Sequence, residues 1–147
     1  MPSFTHLFVL FHCVHISHTL HDTHAPTVSR LCCRNTNYDV QLIVDVNDVF
    51  EANIDDKLHI VLASTLNLDG TPTPETYDPS IFSQPTLADK FDYVMYGKVF
   101  KFKPEDGQKL SVIISFGGLL LYIKAEPRIL GLIQLDSNVF LLMRKAQ

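Results

Sequence analysis

The clearest pattern in the chain is a two-residue alternation of apolar and polar side chains, the mark of a strand with one face against a core. Tyr38, Val40, Leu42, Val44 and Val46 alternate with Asp39, Gln41, Ile43 and Asp45, which predicts a half-buried strand preceded by another in VSRLCCR, residues 28–34. KLHIVLA, residues 57–63, follows an acidic turn at 53–56 and is the next strand, with His59 as an outward strand residue and not a ligand. The longest candidate is FDYVMYGKVFKF, residues 91–102. Extended, it places Tyr93, Met95, Gly97, Val99 and Lys101 on one face and Val94, Tyr96, Lys98, Phe100 and Phe102 on the other. Gly97 interrupts the large side chains, as at a bulge, a sharp bend or a close backbone approach. A long strand bent there serves both sides of a small barrel.

PEDG (104–107) is a turn, residues 110–116 and 119–124 are two apolar strands joined by a tight reversal at Gly117 and Gly118, and 127–131 is a connection. Residues 138–143 form a closing strand that ends in the basic pair Arg144 and Lys145. Residues 66–90 carry four prolines and Gly70 and read as a long loop, closed by a helical turn with Thr86 as cap and Asp89 as its partner. About seven or eight strands with little helix predict an all-β fold, an antiparallel barrel or sandwich. Its expected core includes Val94, Val99, Val112, Ile114, Leu120, Val139 and Leu141.

With 147 residues, 46% of them apolar and 19% charged, the chain is one globular domain. The net charge of -4 is unevenly spread: residues 39–89 hold ten acids against Lys57, whereas 90–147 hold nine bases against five acids. Separate acidic and basic surfaces fit a protein partner better than a phosphate backbone. Three cysteines, two of them adjacent at Cys32 and Cys33, make no disulfide framework.

Residues 1–27 differ from the rest: six of the seven histidines are here, at His6, His12, His15, His18, His21 and His24. The apolar run 7–11 is too short to span a bilayer and lacks the basic leader and cleavage site of a secretory signal. On a helix the histidines would line one side and offer imidazoles to Zn²⁺ or Ni²⁺. The reading adopted is a poorly ordered leader that binds no metal. No cofactor is implied anywhere in the chain, and no membrane association.

NLDGT (67–71) resembles the nucleophile loop of haloacid dehalogenase-type phosphatases, but Asn67 stands where the attacking aspartate is required. No phosphate-binding loop, dinucleotide fingerprint, serine elbow or zinc knuckle is present, so an enzyme is not expected and no catalytic residue is assigned.

Six separated strings do carry a resemblance: VSRL (28–31), YDVQLIVDVN (38–47), LASTLNLDGT (62–71), DYVMYGKVF (92–100), SFGGLLLYI (115–123) and DSNVFLLMRK (136–145). In order and spacing this series resembles the small subunit shared by the eukaryotic nuclear RNA polymerases I, II and III, the eighth subunit of polymerase II. The resemblance covers Val28 to the C-terminus. It implies an eight-stranded antiparallel barrel with OB-like, Greek-key character and a long Ω-type loop at 66–90. It further implies a non-catalytic role in assembly and stability, docking on the largest subunit beside other core subunits, and a place in the nucleus, including the nucleolus as part of polymerase I. Residues 1–27 fall outside it, so the barrel's first strand is expected to be lost or altered and an edge left unpaired.

The partner surface is expected in the later, basic half, at Gly97, Lys98, Gly117, Gly118, Leu119, Phe140, Arg144 and Lys145. Glycines there admit a partner's backbone, apolar neighbours supply area and the basic pair meets an acidic patch. The alternative is a stand-alone OB-like module for single-stranded nucleic acid, with Tyr93, Tyr96, Phe100 and Phe102 stacking bases beside Lys98, Lys101 and Lys103. Filling of the barrel and its protein interface is the favoured role for these aromatics, which leaves nucleic-acid contact weak or indirect.

Overall fold

The computed structural model describes residues 6–19, 28–35, 37–47, 49–66, 86–131 and 133–146. Eight strands dominate: β1 (His6–Thr19), β2 (Val28–Asn35), β3 (Val40–Asn47), β4 (Lys57–Ala63), β5 (Tyr93–Glu105), β6 (Lys109–Phe116), β7 (Leu119–Ala125) and β8 (Asn138–Lys145). The short helix α1 spans Pro127–Leu130, and two 3-10 turns lie at Leu87–Lys90 and Asp106–Gln108. No helix among the described residues is long and apolar enough to cross a membrane.

All pairings are antiparallel and the sheet closes on itself in the order β1, β2, β3, β7, β6, β5, β8, β4 and back to β1. Two three-strand meanders, β1 to β3 and β5 to β7, meet along β3 and β7, while β8 and β4 complete the circle. The alternation read from the sequence decides which side chains enter. Val40, Leu42, Val44 and Val46 are buried, as are Leu58, Ile60 and Leu62 on β4 and Val139, Leu141 and Met143 on β8. Phe50 and Tyr93 pack at one end, with ring centroids 5.6 Å apart and the Asn47 amide donating to the Tyr93 hydroxyl at 3.1 Å. From α1, Ile129 and Leu130 meet Phe11, Val40, Leu42, Ile60 and Ile123 around a small apolar cavity.

The N-terminal expectation is corrected. The poorly ordered, non-family leader placed at 1–27 is in large part β1, which pairs with β2 from His12 to Thr19 and with β4 from His6 to His12. Phe11 and Cys13 enter the core beside Leu31 and Cys33, so the first strand is present and the barrel has no gap there. A strand puts His12 and His15 outside and not along a helix face, and a bulge between Cys13 and His15 shifts the register. Among the described residues no group of three or more His, Cys, Asp or Glu side chains gathers to hold a metal. His21, His24, NLDGT and most of the 66–90 loop lie outside the described residues.

Five of the seven expected core residues, Val99, Val112, Ile114, Val139 and Leu141, are buried together. Val94 and Leu120 are not: both point outward and are exposed. In β5 and β7 apolar residues occupy both faces, so composition does not distinguish inside from outside. Val139→Ala is therefore expected to cost about 1 to 3 kcal/mol in urea unfolding, whereas Val94→Ala should stay within about 0.5 kcal/mol. Equal costs for the two would overturn this assignment of faces.

A second, smaller apolar cluster lies outside the barrel. Val61, Ala63, Leu66, Phe140 and Leu142 face out from β4 and β8 or their flank and are covered by Leu87, Ala88 and Phe91. The covering turn has the expected cap, with the Thr86 amide donating to the Asp89 carboxylate at 2.9 Å.

Candidate functional site

β5 is the strand that joins the two halves of the barrel. Tyr93 to Lys98 pair with β8 and Lys98 to Glu105 with β6. Of the three readings of Gly97, close approach is the one observed: a Cβ there would lie 2.3 Å from the Ser115 carbonyl oxygen and 2.5 Å from Cδ1 of Phe116. The bulge falls instead between Val99 and Lys101. Because a bulge inserts one residue, the faces exchange beyond it. Lys101 and Lys103 are therefore exposed and Phe102 packs inward, the reverse of the parity read from the sequence.

The eight residues of the expected partner surface do not form one patch. Gly97 is buried, and its open side is taken by β6 of the same chain. Lys98 is exposed opposite Asn138, at the start of β8. Gly117 and Gly118 are the exposed tip of the β6–β7 hairpin, with φ of 64° and 102°. Positive φ at both central residues is what a two-residue hairpin turn of type I′ requires, so turn geometry explains the pair. Leu119 is half-buried beside the core. Phe140 lies in the outer cluster, its ring centroid 4.7 Å from that of Tyr96.

Arg144 and Lys145 sit at the far end of β8, roughly 20 Å along the strand from Asn138. Both are half-buried and engaged within the chain: the Arg144 guanidinium is 5.8 Å from the Phe91 ring centroid, and Lys145 pairs with Asp56 at 3.5 Å. The four aromatics of the nucleic-acid alternative are also divided. Tyr96 and Phe100 face out, whereas Tyr93 and Phe102 pack against the core.

The register brings together outward residues that the sequence reading did not connect. Across β6, β7, β3 and β2, Ile113 is opposite Tyr122, Tyr122 opposite Ile43 and Ile43 opposite Cys32, all half-buried on the outer surface. The bulged Phe100 extends this row onto β5. Only cross-strand register assembles it; the available sequence signal was the outward parity of each residue on its own strand.

Two carboxylates are bound into this surface. Asp45 accepts from Arg30 Nε at 2.8 Å and from the Leu120 amide at 3.1 Å, which ties β2, β3 and β7 together. Glu105 Oε1 lies 2.8 Å from Ser111 Oγ and 3.0 Å from the Tyr122 hydroxyl. Those two bonds, Ser111 first and Tyr122 second, hold the Glu105 carboxyl below its ordinary value of 4.5. A carboxylate whose pKa is lower folded than unfolded adds stability that is full above 4.5 and is lost as pH falls through the folded value. Glu105→Gln should accordingly flatten the fall of melting temperature between about pH 5 and pH 3. Superimposable wild-type and variant profiles would show that these bonds do not favour the folded carboxylate.

The residues of the barrel are also the part of the chain that matches known proteins in sequence. The RNA polymerase Rpb8 family model matches residues 12–145, from within β1 to the end of β8. This chain belongs to the RNA polymerase Rpb8 family. It is 44% identical over 121 residues to the Dictyostelium discoideum "DNA-directed RNA polymerases I, II, and III subunit rpabc3", covering 81% of this chain and 83% of that one. The Arabidopsis thaliana "DNA-directed RNA polymerases II, IV and V subunit 8B" is 40% identical, covering 80% and 82%. The Saccharomyces cerevisiae subunit RPABC3 of polymerases I, II and III is 34% identical, covering 80% and 85%. Members of this family are named as subunits of RNA polymerase, not as catalytic subunits. The match begins at residue 12 and so includes the second half of β1, within the segment expected to be a non-family leader.

Proposed function

We propose that this chain is a non-catalytic core subunit common to nuclear RNA polymerases I, II and III, which docks on the largest subunit and supports assembly and stability of the enzyme. The observation that carries this reading is the family match over 12–145, which takes in part of β1 and all of β2 to β8. The chain's contribution in this reading is the outer surface of a closed barrel. The same reading implies a nuclear protein that, as part of polymerase I, is also nucleolar. The expected contacts at Lys98, Gly117, Gly118, Leu119, Arg144 and Lys145 belong to this proposal.

Affinity purification of the tagged full chain from its own cells tests it. The largest subunits of all three polymerases are expected in the eluate at physiological salt. Recovery with one polymerase alone would restrict the role, and recovery with none would overturn it. The nucleic-acid alternative is less well supported, because Tyr93 and Phe102 are turned into the barrel and two of the four proposed stacking rings are lost to it.

A further inference from the structure

The outer surface of this barrel carries apolar residues on two sides, and the chain covers one of them itself. On the β4–β8 side Val61 and Leu142 are almost fully buried beneath Leu87, Ala88 and Phe91. On the β5–β6–β7–β3 side the equivalent row remains open: Phe100 is 48% exposed and Leu120 39%, beside half-buried Ile113, Tyr122 and Ile43. Three strand spacings make this row about 14 Å wide. Contiguous apolar area of this kind, rimmed by polar groups, marks an interaction surface.

The rim identifies the partner's chemistry. The bulge at Phe100 turns Lys101 and Lys103 outward, and Lys124 is the next outward residue after Tyr122 on β7. These three lysines form no ion pair with a described residue, whereas Lys109 is held by Asp39. The carboxylates within the surface are already engaged, Glu105 by Ser111 and Tyr122 and Asp45 by Arg30. An acidic chain thus exposes an apolar row edged by ammonium groups outside ion-pair distance of any described carboxylate, which complements apolar side chains set beside carboxylates. A nucleic acid fits less well, since Tyr96 and Phe100 are four residues apart on one strand, roughly 13 Å, too far for consecutive bases to stack on both.

We propose that the outer face of β5, β6, β7 and β3, with Phe100, Ile113, Tyr122 and Ile43 as its apolar row and Lys101, Lys103 and Lys124 as its rim, docks an acidic, apolar protein segment of another polymerase subunit. This rests on the polymerase reading above and adds to it the face and the chemistry that the face selects. The segment lays its apolar side chains over the row and its carboxylates against the three lysines.

The test uses tagged full-length chains in their own cells: wild type, a variant with Phe100→Ser, Lys101→Glu and Lys103→Glu, and a control, Val49→Ser, which is 81% exposed on the β3–β4 connection. Wild type and control are expected to recover polymerase subunits identified by mass spectrometry, and the triple variant at least tenfold less, while its circular dichroism and melting temperature match wild type. Where the triple variant melts lower, Lys101→Glu with Lys124→Glu replaces it, because both change only the charged rim. Equal recovery by the variants overturns the docking face and leaves the polymerase reading standing. Recovery of no polymerase subunit by wild type overturns both. Carbodiimide coupling of the purified assembly should join Lys101, Lys103 or Lys124 to an aspartate or glutamate of another subunit. Couplings confined to lysines elsewhere overturn the proposal. Fluorescence anisotropy with a labelled oligothymidylate at physiological salt covers the other occupant: binding by wild type that the triple variant loses would assign the face to nucleic acid.

Discussion

Alanine at Gly97 is expected to destabilise the protein by about 3 kcal/mol or more, lowering its melting temperature by roughly 10 °C, and valine there should prevent folding. The added Cβ would sit 2.3 Å from the Ser115 carbonyl oxygen, a backbone atom in the β5–β6 ladder, and 2.5 Å from the buried Phe116 ring. Relief requires moving β6 away from β5, and β6 is held on its other side by β7. A shift at this point is passed around the closed sheet. The hairpin glycines give the contrast, since a Cβ at Gly117 meets nothing within 4 Å and its replacement by alanine carries only the left-handed backbone penalty, about 1 to 2 kcal/mol. Urea unfolding of the two alanine variants decides the matter. A Gly97→Ala protein as stable as wild type would mean that β5 and β6 do not approach as described.

Deletion of residues 1–27 should have the other large effect. It removes β1, which leaves β2 and β4 each with an unpaired edge and takes Phe11 and Cys13 out of the core. Exposed edges recruit other chains, so the truncated protein is expected to lose its cooperative melting transition and to elute as aggregate in size-exclusion chromatography. A monomeric truncated chain with the same transition as the full chain would return residues 1–27 to the status of a dispensable leader. The cut preserves every residue from Val28 onward and therefore separates the two accounts of the N-terminus.

Much of the fold was legible in the sequence, for reasons that differ between strands. β3 is legible from alternation, because one face of it meets the core and the hydrophobic effect selects apolar side chains there, whereas β4 and β8 are legible as apolar runs, because the core takes one face of each and the outer cluster the other. The β6–β7 hairpin is legible from Gly117 and Gly118, since two-residue hairpin turns place one or both central residues at positive φ, where glycine carries no steric penalty. β1 was missed although Phe11 and Cys13 alternate with His12. Its frequent histidines dominate the composition, and His12 and His15, three residues apart, are both exposed only because the bulge between Cys13 and His15 resets the parity of the strand.

The sequence by itself determined the all-β class, most strand positions, the turn glycines and the resemblance to the polymerase subunit, because these are encoded in short segments or in their order. The tertiary structure alone decided closure of the barrel through β1, the burial of Gly97 against Phe116, and the exchange of faces at Phe100. It also decided that Ile43, Ile113 and Tyr122 lie side by side while Lys98 and Lys145 stand at opposite ends of β8. The physical reason is register. Alternation tells which residues of one strand share a face, but a neighbour's identity depends on backbone hydrogen bonds between distant segments, and a single bulged residue reverses every face beyond it.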